Sequence, residues 1–99
     1  MLLEIITPES KIFTGEAEAI QFPGIDGLFQ VLNNHAPIIS ALGKGVIKVD
    51  LTTAFEETEK KSALIELDKN PKTIRVGIKG GVVEMLNNKV IVLAEYYVI

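Results

Sequence analysis

Hydrophobic and polar residues alternate with a period of two along much of this chain. Residues 74–79 read Ile-Arg-Val-Gly-Ile-Lys, and residues 47–51 read Ile-Lys-Val-Asp-Leu. Near the N-terminus, Leu3, Ile5 and Thr7 fall on one side of an opening strand. Such alternation is typical of strands that bury one face and expose the other. Turn signals recur about every ten residues, so the pattern predicts an all-β sandwich or barrel.

Turn residues divide the first third of the chain. Pro8-Glu9-Ser10 ends the opening strand, because proline fixes φ and cannot donate to a ladder. Residues 11–22 then supply one or two further strands. Gly15 is predicted to lie at a bulge or bend within them.

The clearest local element is a hairpin near the C-terminus. Val82–Leu86 and Lys89–Glu95 flank Asn87-Asn88, and asparagine tolerates the positive φ of a type I′ turn. Gly80-Gly81 allows a tight corner or a close backbone approach before it. Residues 90–94 are apolar on both faces, which predicts burial either inside two packed sheets or partly under a partner.

Residues 53–67 interrupt the alternation. Thr53 and Glu56 have the spacing of a capping box, but no clean apolar stripe follows. The segment is either a short helix near 53–61 or an irregular loop followed by a strand in 62–67, or else an extended loop throughout.

Composition narrows the possible functions. The chain has 99 residues, which predicts one domain over 1–99, and its net charge of −3 argues against nucleic acid as a partner. It has no cysteine, hence no disulfide framework. No secretory signal or membrane-spanning run is visible, so we expect a soluble protein with no direct membrane insertion.

No residue pattern predicts catalysis. His35 is the only histidine, which leaves too few ligands for an ordinary metal site and no orienting group for a nucleophile. The glycines at 77–81 lack the lysine and hydroxyl of a phosphate-binding loop. Glu16 and Glu18 share one strand face as solvated carboxylates. We expect no enzyme activity, no cofactor and no metal.

The order of residues across 23–45 carries the strongest signal. It reads Pro-Gly-x-x-Gly-x-x-x-Val-Leu-x-x-His-Ala-Pro-Ile-Ile-x-x-Leu-x-x-Gly. Together with Thr7-Pro8, Ile12-Phe13 and the hairpin that starts at Gly80-Gly81, this order closely resembles the N-terminal domain of the ATP synthase epsilon subunit. The resemblance implies a two-sheet β-sandwich of about 8–10 short, mostly antiparallel strands.

The resemblance also implies a role. The family's epsilon subunit is a central-stalk rotor component, present as one copy in a hetero-oligomeric complex, that couples the gamma subunit to the c-ring during ion-driven ATP synthesis. It is held at the cytoplasmic face of the inner (plasma) membrane through that complex.

The resemblance implies two contact sites in this chain. The residues implied to contact the c-ring are Gly24, Ile25, Asp26, Gly27, Leu28 and Phe29. The residues implied to contact gamma are Thr7, His35, Ile38, Ser40 and Leu42. Alternation leaves open whether Phe29 points outward or into the core.

The chain departs from the family in three places. Leu28-Phe29-Gln30 stands where many members have an acidic residue, an apolar residue and glycine, so we expect a less ionic ring contact. Residues 52–72 are longer than the family's usual hairpin, so the resemblance implies a variable insertion at this point of the domain. The sequence ends at Ile99, where the family usually continues into two helices that restrain ATP hydrolysis and in some members bind ATP, so neither behaviour is carried over.

Two alternatives remain open from sequence. The apolar residues 96–99 need a cover, either the edge of the sandwich or gamma. A different class of function, a free-standing β-sandwich adaptor that binds a peptide at a sheet edge, fits the same strand pattern.

Overall fold

The computed structural model describes residues 1–56 and 64–95. These residues form nine strands, and all their pairings are antiparallel except that of β1 with β9. The strands are β1 (Leu2–Ile6), β2 (Lys11–Gly24), β3 (Gly27–Leu32), β4 (Ile38–Leu42), β5 (Gly45–Leu51), β6 (Ile65–Leu67), β7 (Thr73–Ile78), β8 (Gly80–Leu86) and β9 (Lys89–Glu95). The expectation of 8–10 mostly antiparallel strands is confirmed for this part of the chain.

The long strand β2 belongs to both layers of the fold. Its first half pairs with β1, with Leu2 opposite Glu16, and its second half pairs with β3 and β5. The first sheet therefore runs β4-β8-β9-β1-β2, and the second runs β3-β2-β5-β7-β6. A contact between Gly24 of β2 and Leu42 of β4 joins the two layers again at one end. The result is the predicted two-sheet sandwich.

Bulges, rather than Gly15, allow β2 to pass from one sheet to the other. The pairing with β5 shifts register between Ala17 and Ala19, which leaves Glu18 as an extra residue. A bulge bends and twists its strand locally, as a strand shared by two sheets requires. Gly15 lies in the regular ladder opposite Leu3, so the prediction of a bulge there is wrong. A Cβ at Gly15 would lie 2.8 Å from the Phe13 ring, so the glycine makes room for that ring.

The core lies between the sheets and follows the alternation of the sequence. In β1, β5 and β7 every second side chain is buried, as the alternation predicts. Thr7, just after β1, is buried with Leu3 and Ile5. Buried residues from both sheets form a single hydrophobic cluster. Its largest fully buried side chains are Phe22, Leu3, Ile5, Ile20, Ile47, Ile65, Ile74 and Met85. Each of them stabilises the fold by about 1.5–3 kcal/mol through removal from water.

The C-terminal hairpin forms as predicted. Asn87 and Asn88 have φ values of 51° and 61°, and Leu86 pairs with Lys89 on either side of them. Two positive φ values at the central residues define the type I′ turn, whose twist matches that of paired strands. The Asn88 side-chain oxygen also accepts a hydrogen bond of 2.7 Å from the Asn34 N–H, which ties this turn to the segment after β3.

Only part of the 52–72 segment can be compared with its prediction. Residues 53–56 form no helix, and Phe55 packs on Phe13 with ring centroids 6.0 Å apart. Residues 57–63, on which the rest of the helix prediction falls, lie outside the described residues, as do residues 96–99. The strand predicted within 62–67 is present as β6.

An ion pair holds the loop between β6 and β7. Arg75 Nη1 lies 2.7 Å from Asp68 Oδ1, and the Asn70 N–H donates to the other carboxylate oxygen at 3.3 Å. The hydrogen bond from Arg75 is the main cause that lowers the pKa of Asp68, with help from the loop backbone. Its contribution to stability is therefore present at neutral pH and is lost as the pH falls through that lowered pKa.

Gly81 makes the close backbone approach that the sequence suggested. Its φ is +151°, and a Cβ built there would overlap the carbonyl oxygen of Leu93 on the neighbouring strand. The position therefore excludes a side chain for both conformational and steric reasons.

We predict that Gly81→Ala lowers the free energy of unfolding by about 2–4 kcal/mol, because the new methyl group strains φ and displaces the β9 backbone. Gly77→Ala is the matched control, since no atom lies within 4 Å of a Cβ at Gly77. We expect the control to change stability by no more than about 0.5 kcal/mol, or to raise it. Urea unfolding of both variants measures the difference, and equal midpoints would contradict the assignment.

Candidate functional site

The loop assigned to the ring contact is a tight hairpin between β2 and β3. Gly24 pairs with Gly27 around Ile25 and Asp26. Gly27 has φ +128°, and a Cβ at Gly24 would lie 2.7 Å from the Gly27 carbonyl oxygen. Both glycines are therefore needed for the turn itself. The Ile25 N–H donates to the Ala41 carbonyl at 3.3 Å, which attaches the loop to the end of β4.

The side chains of this loop divide between solvent and core. Asp26 is exposed, and Ile25 and Leu28 are 67% and 70% exposed. Phe29 is half-buried, packs against the core and stacks on Phe22 with ring centroids 5.4 Å apart. The question left open by the sequence is thus decided for Phe29, which points inward. The loop offers Ile25, Asp26 and Leu28 to a partner.

We predict that two neighbouring substitutions change the free energy of unfolding by very different amounts. Leu28→Asp changes the free energy of unfolding by no more than about 0.5 kcal/mol, because the side chain already contacts water. Phe29→Asp lowers it by about 2 kcal/mol or more, because it removes the ring contact and brings a charge toward the core. Denaturant unfolding of the isolated chain tests the pair. A large loss of stability for Leu28→Asp would show that Leu28 is a core residue.

The residues implied to contact gamma do not form one exposed surface. Thr7 and Leu42 are buried within the chain. The Thr7 hydroxyl donates to the Ser10 carbonyl at 3.1 Å and accepts from the Ser10 N–H at 3.2 Å, so it closes its own turn. His35 is exposed, and its Nδ1 lies 2.8 Å from the Ala36 carbonyl oxygen.

Strand β4 explains the position of the remaining two residues. Ile38 and Ser40 pair with Met85 and Val83, which are buried, and side chains directly opposite each other share one face of a sheet. Ile38 and Ser40 therefore lie on the inward face of β4 and are half-buried. Ile39, between them, faces outward and is 79% exposed.

The outward side chains of the first sheet are here called the outer face. They include Glu4, Glu84 and Lys89 together with the apolar residues Ile6, Ile39, Ala41, Val82, Leu86, Ile91 and Leu93. One row across the strands is continuous and apolar, because Ile6 pairs with Leu93, Leu93 with Val82, and Val82 with Ala41. Leu93 is 57% exposed and Val82 is 44% exposed. Exposed large apolar side chains that adjoin one another in this way mark an interaction surface.

A groove of about 820 Å³ connects the outer face with the β2–β3 loop. Ile6, Val82 and Leu93 line it from the sheet, and Ile25 lines it from the loop. Residues 90–94 were the sequence signal for this surface. Within that run Val90, Val92 and Ala94 are buried, whereas Leu93 is exposed. The prediction that both sides of the strand are buried between two sheets is therefore wrong, and cover by a partner remains the interpretation of the exposed side.

Residues 1–56 and 64–95 contain no group of three or more metal-ligating side chains. Within the same ranges no helix is long and apolar enough to cross a membrane.

Comparison with known proteins agrees with the fold. Residues 1–66 match the family described as "ATP synthase, Delta/Epsilon chain, beta-sandwich domain". The chain belongs to this family. An ATP synthase epsilon chain from Chlorobaculum tepidum is 36% identical over 93 residues, covering 94% of this chain and 86% of the relative. The epsilon chain of Chlorobium limicola is 33% identical over 93 residues, again covering 94% of this chain and 86% of the relative.

Longer relatives and solved structures extend the comparison. An epsilon chain from Salinibacter ruber is 36% identical over 96% of this chain, which spans 58% of that relative. A chain in the Euglena gracilis mitochondrial ATP synthase structure, containing OSCP, F1 and the c-ring, superposes with a TM-score of 0.73 at 18% identity. The match covers 99% of this chain and 52% of that one. At this identity the superposition shows that the two chains share a fold.

Proposed function

We propose that this chain is a non-catalytic, central-stalk component of a rotary F-type ATP synthase. In this role one copy links the gamma subunit to the c-ring, so that ion-driven rotation reaches the catalytic head. The proposal rests on family membership and on one observation of the structure: two exposed apolar surfaces, the β2–β3 loop and the outer face, on one closely packed body.

The sandwich is mechanically suited to this role. Its core residues from both sheets form one cluster, and β2 joins the sheets covalently. Close-packed interiors are hardly compressible and transmit strain, so a load applied at one surface reaches the other. The protein would be held at the cytoplasmic face of the membrane through its partners.

We assign gamma binding to the outer face. Its exposed row of Ile6, Leu93, Val82 and Ala41 has the apolar character of an interface centre. His35, which is exposed, and Ile38 and Ser40, which are half-buried, remain predicted gamma contacts next to this face. Thr7 and Leu42 support this surface from within, since both are buried and both line the groove.

We predict that Leu93→Asp weakens co-purification with gamma by about tenfold or more, because docking would bury an unpaired carboxylate. Leu67→Asp is the matched control, since Leu67 is an exposed leucine on β6 of the second sheet. Co-expression of tagged gamma with each variant, followed by a binding titration, measures the effect. If the unsubstituted chain fails to bind intact gamma, the proposed function is wrong. The alternative hypothesis, a free-standing adaptor that binds a peptide at a sheet edge, then gains support.

We predict that Leu28→Asp weakens attachment to an isolated c-ring, while gamma binding stays unchanged. Leu28 lies at the exposed base of the β2–β3 loop, apart from the outer face. Leu32→Asp controls for an exposed leucine on the same strand outside the loop. Sedimentation of the chain–gamma pair with purified c-rings gives the readout. Equal attachment of both variants would remove the ring contact from this loop.

A further inference from the structure

One charged side chain of the outer face has only apolar side chains as its immediate neighbours. Glu84 of β8 pairs with Ile39 of β4 on one side and with Ile91 of β9 on the other. Along its own strand, the residues two positions away on the same face are Val82 and Leu86, both exposed and apolar. Glu84 is therefore surrounded on all four sides by apolar side chains of the same surface.

The other acidic residue in this row, Glu4, already has basic partners. Lys11 Nζ lies 3.9 Å and Lys89 Nζ lies 3.8 Å from its carboxylate oxygens. Within residues 1–56 and 64–95, by contrast, no basic group lies within ion-pair distance of Glu84. Lys89 lines the same hollow of about 340 Å³ as Glu84, but its ammonium is directed to Glu4.

Docking would change the environment of this carboxylate. In the free chain Glu84 is exposed and water solvates its charge. A partner that covers Val82, Ile39 and Ile91 would also remove that water, and a buried carboxylate without a cation or donors is strongly unfavourable. A complementary surface must therefore supply a cation or hydrogen-bond donors at this point.

We infer that the partner of the outer face inserts a basic side chain, arginine or lysine, opposite Glu84. Two hollows border the carboxylate, one toward Ile91 and one of about 440 Å³ toward Ile39 and Pro37. The apolar side chain of Leu86 lines both of them, so either can pack the aliphatic stem of a basic residue while its charged end meets Glu84. This inference rests on the proposed function, in which the partner is gamma.

The test uses full-length chain variants and the gamma subunit. We expect Glu84→Gln to weaken binding by about 30-fold and Glu84→Lys to weaken it further, because each leaves the partner's cation buried without its counter-charge. Glu18→Lys, at an exposed carboxylate of the β2 bulge, is the matched control and should bind as the unsubstituted chain does. Thermal melts of the free variants must coincide, so that a folding defect is excluded.

A charge exchange identifies the partner residue. Exposed lysines and arginines of gamma are replaced one at a time by glutamate and titrated against Glu84→Lys. Recovery of binding by one of them supports the inference. If Glu84→Gln binds gamma as tightly as the unsubstituted chain, the inference is overturned, whereas the proposed function stands as long as Leu93→Asp still weakens binding by about tenfold or more. Absence of gamma binding by the unsubstituted chain would instead overturn the proposed function.

Discussion

The structure depends on the passage of one strand through both sheets. The 14 residues of β2 pair with β1 before the bulge at Glu18 and with β3 and β5 after it. Because the two sheets share this strand, neither can slide or rotate without breaking ladder hydrogen bonds in the other. The end of β2 also carries the β2–β3 loop. The loop is therefore attached to the most constrained element of the fold, which suits its proposed role in transmitting force.

Strand alternation then decides what each surface can bind. On β4 the inward residues Ile38 and Ser40 face Met85 and Val83 in the core, and the outward Ile39 is left for a partner. A shift of one residue along a strand exchanges its two faces. Contact residues inferred from the family therefore identify a strand more reliably than they identify which of its side chains point outward. The outer face also combines an apolar row with the isolated charge of Glu84. Such a combination favours a specific partner over indiscriminate hydrophobic association.

Most of the fold was predictable because its signals are local. Residues 74–78 and 47–51 alternate cleanly, and the Asn87-Asn88 pair specifies its turn through positive φ. The predicted bulge at Gly15 was wrong because a glycine in a strand can indicate either a bulge or a large side chain packed over it. Only the position of the Phe13 ring distinguishes these two causes. A tight turn is present within residues 24–29, whereas its contact with the c-ring stays a prediction. The alternation had already grouped Thr7 with Leu3 and Ile5, but the burial of Leu42 was not foreseen, since it depends on contacts distant in sequence.

The amino-acid sequence by itself determined the strand pattern, the type I′ hairpin and the family, because these follow from residues adjacent along the chain. Only the tertiary structure decided which side of an apolar strand is the core. Residues 90–94 are hydrophobic on both faces, and nothing local distinguishes Val92 from Leu93. The second sheet covers one face alone, so Val92 is buried and Leu93 lies on the outer face. The same asymmetry turned Phe29 toward Phe22 and left Leu28 in solvent.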